Sequence, residues 1–324
     1  MLRVSGPDLV IAACRAGIIG AFPTANAESV QELDRWLHAI EAAASVSSDP
    51  QRAAPYAANL IVRQPRLADH LACLLDHRAE IVITSVGSPD AVVGALHDGG
   101  RLVFADVATL EHARKAIAAG VDGLVLVTAG AGGQTGWLNP LAFAAAVRPL
   151  FAGPIVLAGG IGDGRSVLAA QLLGCDLAYM GTKFIATRES MASPEYRDMV
   201  VRSTLDDVLL TSAFTGLPTN MLLPAIAAAG LDRDLLDEQV TPADADRMYG
   251  GRSRGPGPRR WRDVFSAGHS VSGVHAVSSV ADVVALTALE YKHAYAEGLA
   301  TVFSPRADDQ AAADHRTAFI EEAG

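Results

Sequence analysis

Short apolar runs alternate with helical patterns along the first part of the chain. Seven of these runs are predicted to be strands: Gly17–Phe22, Ala57–Val62, Glu80–Val86, Leu102–Val107, Gly123–Val127, Ile155–Ala158 and Leu177–Met180. The runs are apolar throughout rather than alternating, which is typical of parallel strands that are buried on both faces. The pattern therefore predicts consecutive βα units joined by right-handed crossovers.

The segments between the runs carry helix signals. Thr109–Gly120 begins with a residue that can cap a helix and ends in glycine, and Asp163–Gly174 has the same form. Further helices are predicted over Pro7–Ala16 and Val280–Glu297. Each helix lies between two apolar runs or beside one, as a barrel or an open α/β sheet requires.

The fold class predicted is α/β, a (β/α)8 TIM barrel with a mainly helical insertion. The barrel would comprise residues 1–202 and 266–324, and the insertion residues 203–265. Seven strands are visible where a closed barrel needs eight. Either Leu2–Val4 forms a shortened first strand, or the chain begins inside strand 1. An open doubly wound sheet is the alternative architecture.

Composition narrows the classes of function. The 324 residues carry a formal net charge of −10, which argues against nucleic acid or an anionic membrane as a partner. No apolar run approaches the length of a membrane span, and no signal-peptide pattern is present. Cys14, Cys73 and Cys175 lack metal-ligand spacing and are interpreted as buried apolar residues in a reducing compartment. We expect a cytoplasmic protein without a metal; its oligomeric state, possibly a homodimer, is open.

Glycine and small polar residues cluster where the predicted strands end, which is where barrel enzymes build their sites. Gly159-Gly160 and Gly181-Thr182 follow the last two strands. Such turns expose backbone N–H groups to an anion, and the following helix adds its positive end. The pair predicts a phosphate site, with tight turns alone as the alternative. Lys183 would either pair with the phosphate or lie in solvent.

These segments, in this order, resemble the nitronate monooxygenase family (formerly 2-nitropropane dioxygenases), which is related to FMN-dependent enoyl-ACP reductases. The resemblance covers most of the chain and is carried by Val4–Gly20, Asn59-Leu60, Ala131–Gly136, Ala158–Ile161, Met180–Thr182, Phe214–Leu222 and Trp261–Gly268. It implies FMN as the cofactor. The cofactor-binding residues that follow from it are Asn59, Gly132, Gly133, Gly159, Gly160, Tyr179, Met180, Gly181 and Thr182. The family's first strand ends in Ala-Pro-Met, and Met1 matches that Met.

The chain departs from this family at the position of the catalytic base. Nitronate-oxidising relatives carry Glu-Ala-Gly-Gly-His in the loop where this chain has Gly130 in place of Glu and Gln134 in place of His. A neutral amide cannot act as a general base, although it can donate a hydrogen bond to a substrate oxygen. Gln134 is therefore predicted to orient the substrate, or to be a flavin-loop residue without a catalytic role.

His269 is the second candidate catalytic residue. It lies in Ser266–Ser270, where relatives commonly have Ala-Gly-Gln, and the alternative is a hydrogen-bonded structural histidine. Five arginines between Arg252 and Arg262 form either a solvated loop or a contact to the phosphates of a CoA thioester or NADPH.

The sequence is compatible with three functions. The first is an FMN-dependent oxidoreductase that oxidises alkyl nitronates with O2. The second is an NAD(P)H-dependent flavin reductase or dehydrogenase acting on an enoyl or cyclic acyl thioester of ACP or CoA. The third is a flavin-phosphate-binding protein without turnover.

Overall fold

The computed structural model describes residues 1–45, 54–250 and 257–303. One parallel sheet contains seven strands in chain order: β1 (Gly20–Pro23), β2 (Tyr56–Ile61), β3 (Ile81–Ser85), β4 (Leu102–Val107), β5 (Gly123–Val127), β7 (Ile155–Ala158) and β8 (Leu177–Tyr179). A second, antiparallel sheet contains β6 (Gly133–Gln134), β10 (Thr219–Leu222) and β9 (Val208–Thr211), in that order.

The α-helices of the described ranges lie between and after these strands. They are α1 (Pro7–Arg15), α2 (Val30–Ser45), α3 (Leu67–Asp76), α4 (Val93–Asp98), α5 (Leu110–Ala118), α6 (Pro140–Val147), α7 (Gly164–Leu172), α8 (Thr182–Ile185), α9 (Pro194–Arg202), α10 (Leu223–Ala228), α11 (Pro242–Tyr249) and α12 (Val280–Phe303). None of them combines the length and the apolar composition that crossing a bilayer requires.

All seven strands predicted from the apolar runs are confirmed, and β4, β5 and β7 have the predicted bounds. Both faces of the parallel sheet are buried. Residues such as Leu60, Val82 and Leu124 pack outward into the main helix-covered core. The opposite faces form an inner cluster of their own: Ala57, Ile81, Ile83, Phe104, Val125, Val156 and Ala158, with Ile19, Ala21 and Tyr179 against them. Residues from both edge strands join this cluster because the sheet curls, as in a TIM-barrel-like fold.

The edge strands β1 and β8 are not paired with each other in the described chain. The N-terminal segment lies beside their carboxyl ends. The Asn26 side-chain amide, just after β1, donates to the carbonyl oxygens of Met1 (2.9 Å) and Ser5 (2.8 Å). The sulfur of Met1 lies 3.5 Å from where a Cβ on Gly181 would be. Residues 2–4 form a turn, so the shortened first strand considered for Leu2–Val4 is not present.

The helix boundaries follow the predicted signals. Thr109 caps α5 by accepting a hydrogen bond from the His112 N–H (3.0 Å). Asp163 caps α7 by accepting from the Ser166 N–H (2.7 Å). Gly120 and Gly174 adopt the left-handed conformation just beyond these helices, with φ of 84° and 82°. A side chain at either position would be strained, which explains the terminal glycines.

The prediction that residues 203–265 form a mainly helical insertion is not confirmed. The described part of this region contains β9 and β10 as well as α10 and α11. All four residues of β10 are buried, and the strand lies between β9 and the distant β6. The periodicity of a short apolar run does not distinguish a buried strand from a helix. In addition, the partner strand of β10, β6, lies far away in the sequence. Phe214 and Met221 also share one core with Ile185 and Val271, which lie outside the proposed insertion.

The three cysteines are free and buried, as expected from the sequence. Burial raises the pKa of the Cys73 thiol to about 11. Cys73 nevertheless lies near polar groups that the spacing of the cysteines did not reveal. Asp34, Cys73 and His77 each place one potential metal-ligand atom within 4.8 Å of the other two. The His77 ring is held between Asp34 Oδ1 (3.0 Å) and Glu41 Oε1 (3.4 Å), and this ties α2 to the end of α3.

The cap of α5 offers a test of this helix start. Replacing Thr109 with Ala should lower the free energy of unfolding by about 1 kcal/mol, because the His112 N–H loses its acceptor. Urea denaturation measures the change, and Thr109→Ser, which keeps the hydroxyl, is the matched control. Equal stability of all three proteins would contradict the assigned cap.

Candidate active site at the carboxyl ends of the strands

Polar side chains begin where the apolar inner face of the sheet ends. The inner residues Ala57, Ile83 and Phe104 are followed two positions later by Asn59, Ser85 and Asp106, on the same face of β2, β3 and β4. The Ser85 hydroxyl donates to Asn59 Oδ1 (3.1 Å). Tyr179 of β8 packs against the inner cluster from the opposite edge of the sheet. Asn59 and Tyr179, two of the predicted cofactor residues, thus lie at the same opening, which is formed by the carboxyl ends of the strands and is called the mouth below.

Asp106 was missed in the sequence, although an ionisable residue in an apolar strand was a usable signal. Its Oδ1 atom is buried and has no hydrogen-bond partner among the described residues. Burial raises the pKa of this carboxyl to about 7, and the nearby Met1 amine partly opposes the rise. Burial likewise raises the pKa of Tyr179, and Asp106 adds to that rise. The floor of the mouth therefore contains an acid that can hold a proton near neutral pH.

The two glycines after β7 serve different purposes. Both have left-handed backbones, with φ of 126° at Gly159 and 75° at Gly160. A Cβ on Gly159 would lie 2.4 Å from the Thr128 hydroxyl oxygen, so this glycine is needed for packing between strand ends. A Cβ on Gly160 would have no atom within 4 Å. The Gly160 backbone therefore faces open space, where a ligand can approach it closely.

The positive end of α7 is already occupied, which corrects part of the predicted phosphate site. The Ser166 hydroxyl accepts from the N–H groups of Gly162 and Asp163 (both 3.1 Å), and Glu290 Oε2 accepts from Gly164 N–H (2.9 Å). Lys183 does not lie in solvent either, since its side chain is 11% exposed and its Nζ is 4.0 Å from Glu290 Oε2.

Other backbone donors at the mouth remain available to an anion. Within the described chain, the N–H groups of Gly160, Gly181 and Thr182 have no hydrogen-bond acceptor. Two of these follow β8 and one follows β7, which are neighbouring strands. An anionic group would therefore bind between the two turns rather than on the axis of α7.

The side chains of Met180 and Thr182 make contacts within the protein, so only their backbones are available to a ligand at the mouth. The Met180 side chain packs outward against the helix-covered cores, away from the mouth. Thr182 is buried, and its hydroxyl oxygen accepts from the Gly268 N–H (2.8 Å). This bond joins the start of α8 to the segment after the 203–265 region.

The loop that carries Gln134 is held by the antiparallel sheet. Gln134 and Gly133 pair with Thr219 and Asn220 of β10 through β6. The buried Asn220 side chain donates to the Ala131 carbonyl oxygen (2.8 Å). The Gln134 side chain itself is exposed. Its backbone is fixed by the pairing with β10 while its side-chain amide is free to make hydrogen bonds outside the fold.

His269 meets the same loop from the other side, and the structure brings the two candidate catalytic residues to one rim. The His269 N–H donates to the Gly130 carbonyl oxygen (2.9 Å). A Cβ on Gly130 would lie 3.0 Å from Cγ and Nδ1 of the His269 ring. A Cβ on Gly132 would lie 2.7 Å from the Gly268 nitrogen. Glycine at 130, in the position of the family's Glu, therefore leaves room for the imidazole of His269. The two departures from the family pattern, Gly130 and His269, are thus sterically compatible.

Among the described arginines of the arginine-rich stretch, Arg260 and Arg262 contact other residues of the protein. Arg252 and Arg254 lie outside the described ranges. Arg260 donates to the Phe214 carbonyl oxygen (3.1 Å) and pairs with Asp246 (2.7 Å). Arg262 is exposed and lies 3.8 Å from Asp263. Arg260 thus holds α11 in place rather than facing the mouth.

These residues fit a phosphorylated flavin. The Gly160 turn offers an open backbone to a phosphate, and the floor offers polar groups to a heterocycle, including a carboxyl oxygen that lacks a partner. Around them, the inner face is apolar, as a ring system requires. The glycine residues at 130, 132 and 268 bring the rim segments together without side chains between them.

Several known proteins are similar in sequence to this chain. The family model described as nitronate monooxygenase matches residues 66–229. The chain is 29% identical over 271 residues to a nitronate monooxygenase of Paraburkholderia phytofirmans, covering 72% of this chain and 74% of that protein. It is 25% identical over 222 residues to the (3aS,4S,5R,7aS)-5-hydroxy-7a-methyl-1-oxo-octahydro-1H-indene-4-carboxyl-CoA dehydrogenase of Mycobacterium tuberculosis, covering 68% of this chain and 60% of that protein.

Solved structures show the same fold. FabK from Thermotoga maritima has a TM-score of 0.78 at 24% identity, with 94% of each chain covered. The nitroalkane oxidase of Streptomyces ansochromogenes has a TM-score of 0.71 at 23% identity, with 91% of this chain and 94% of that chain covered.

The contact between Gly130 and His269 leads to a stability test. Gly130→Ala should lower the free energy of unfolding by about 1–3 kcal/mol, from the left-handed backbone and from the crowded imidazole. Gly100→Ala is the matched control, because Gly100 has φ of 73° but open space around a Cβ. The control should lose only the backbone part.

The double variant Gly130→Ala/His269→Ala separates the two causes. It should recover the part of the loss due to the imidazole, measured as the coupling energy of a double-mutant cycle in urea. A coupling energy of zero would show that the ring does not restrict residue 130.

Proposed function

Because the chain belongs to the nitronate monooxygenase family, we propose that it is an FMN-dependent oxidoreductase that oxidises alkyl nitronates with O2. The observation that carries the proposal is the family match over residues 66–229, which include both glycine turns and the Gln134 loop. Its membership makes the chain an oxidoreductase that acts on a small molecule. The choice of FMN rests on the open Gly160 backbone and on the sequence resemblance described above.

In the proposed complex, the N–H groups of Gly160, Gly181 and Thr182 would hold the FMN phosphate. Asn59, Asp106 and Tyr179 would line the floor under or beside the ring system. Bound flavin supplies the redox chemistry, and the protein supplies binding, orientation and exclusion of water. Burial of the inner face limits water below the ring, because the inner cluster is apolar up to the level of Asn59 and Asp106.

Gln134 determines which form of the substrate the protein would accept. Its amide can donate to a nitro oxygen but cannot remove a proton from the adjacent carbon near neutral pH. We therefore expect the nitronate anion, which is already deprotonated, to be the better substrate than the neutral nitroalkane. His269 lies on the same rim and is the other side chain positioned to contact the substrate.

A second candidate function is an NAD(P)H-dependent reductase or dehydrogenase of an enoyl or cyclic acyl thioester. The observation that favours it is the relative from Mycobacterium tuberculosis, which is named as a carboxyl-CoA dehydrogenase. Neutral Gln134 is also compatible with this chemistry, since an amide donor can hold a thioester carbonyl. The match spans 60% of that relative, so its substrate is not carried over.

Absorbance spectroscopy and an anaerobic titration separate these functions. The purified protein should carry, or be reconstituted with, FMN. Anaerobic ethyl nitronate should bleach the flavin, while NADH and NADPH should not. Bleaching by a reduced nicotinamide without bleaching by nitronate would favour the second function. A protein that cannot be reconstituted with FMN would contradict both.

The role of residue 134 can be tested by restoring the family's base. Gln134→His should raise kcat/KM for neutral nitroethane by about tenfold or more, since a positioned general base commonly contributes 10²–10⁴-fold. The value for ethyl nitronate should change little. Gln134→Ala is the control, and it should lower turnover of the nitronate by removing the donor. If Gln134→His turns over nitroethane no faster than the parent, residue 134 does not lie where a base is useful.

A further inference from the structure

The Asp106 carboxyl lies in an apolar setting with one oxygen unpaired. Asp106 pairs in the sheet with Val125 of β5, which belongs to the inner cluster, and follows Phe104 on the same face. The neighbouring polar pair on β2 and β3, Asn59 and Ser85, is already joined by its own hydrogen bond. Oδ1 of Asp106 has no such partner in the described chain. Buried polar atoms in native proteins usually have a partner, which here must come from a bound molecule or water.

Few charged groups face this carboxyl. The Met1 amine approaches from the N-terminal segment, and the Tyr179 hydroxyl from β8. Among the described residues, the Met1 amine is the one cationic group that shifts the pKa of this carboxyl. Burial lowers the pKa of the Met1 amine to about 6, so this amine is largely neutral at pH 7. Without an ion pair, a buried carboxyl is more stable in its neutral form.

We propose that Asp106 holds a proton on the floor of the mouth and donates it in a hydrogen bond to the bound flavin, so that cofactor binding is coupled to this proton. A neutral carboxylic acid has one O–H donor, whereas the carboxylate has only acceptors. The flavin ring presents one N–H donor and several acceptors, namely carbonyl oxygens and ring nitrogens, and the proposal places Asp106 at the acceptors. The ionised form of Asp106 would face these acceptors without a donor and would repel them.

This inference rests on the proposed function, because it requires a flavin at the mouth. It adds that a residue outside the glycine turns sets the pH range in which the cofactor is retained. The turns bind the phosphate irrespective of this proton. Asp106 therefore determines how the affinity for FMN changes with pH, and the glycine turns provide most of that affinity.

The dissociation constant of FMN, measured by quenching of flavin fluorescence between about pH 5 and pH 9, tests the coupling. In the parent protein the Kd should rise by up to about tenfold per pH unit above the pKa of Asp106, as binding of one proton requires. Asp106→Asn keeps a hydrogen-bond donor that does not titrate, so its Kd should be tight and independent of pH. Asp69→Asn, an exposed change on α3, is the matched control and should behave as the parent does.

Two results would overturn the coupling while leaving the proposed function intact. One is an FMN Kd in the parent that does not change with pH. The other is an equal slope in Asp106→Asn, which would assign the titration to the Met1 amine or another group. Failure of the parent to bind FMN at every pH would overturn the proposed function as well.

The unloaded protein provides a second measurement. The pKa of Asp106 is raised on folding, so the folded state binds more protons than the unfolded state between about pH 4 and pH 7. The parent should therefore lose stability to urea as pH rises through this range. The gain in stability of Asp106→Asn over the parent should be larger at pH 8 than at pH 4. A difference that does not vary with pH would show that Asp106 does not hold a proton in the folded protein.

Discussion

Three segments of backbone approach one another at the carboxyl edge of the sheet too closely for side chains to separate them. Gly130 and Gly132 follow β5, Gly268 precedes α12, and the Gly268 N–H reaches the Thr182 hydroxyl at the start of α8. This close approach sets the relative positions of the Gln134 loop, the His269 segment and the turn after β8. The arrangement of the rim, which these three segments form, therefore depends on this close approach.

The sequence predicted the parallel sheet well, since continuous apolar runs identify strands that are buried on both faces. It did not predict β9 and β10, because Thr219–Leu222 pairs with a two-residue strand that only tertiary packing creates. It predicted the glycine turns but assigned α7 a role that Ser166 and Glu290 already fill. Glu290 belongs to α12, far along the chain, so no local pattern reveals that it accepts from the first N–H group of α7.

The departures from the family pattern become clearer when they are placed in the fold. Gly130 and His269 were separate substitutions in the sequence, whereas in the structure the imidazole fills the space beside the glycine. Asp106 could not be identified by family resemblance, because this carboxyl lies in none of the shared motifs. Its significance comes from burial and from the absence of a partner in the described residues, which are properties of the folded state.

The pairing of β6 with β10 also has a consequence for how such a protein changes over time. The backbone of residue 134 is held by Thr219 and by the neighbouring contact from Asn220, while its side chain projects into open space. If Gln134 contacts the substrate as proposed, exchanges at this position would alter that contact without disturbing the packing that supports it. In a chain with this arrangement, single substitutions at residue 134 could change the substrate while the rest of the fold stays the same.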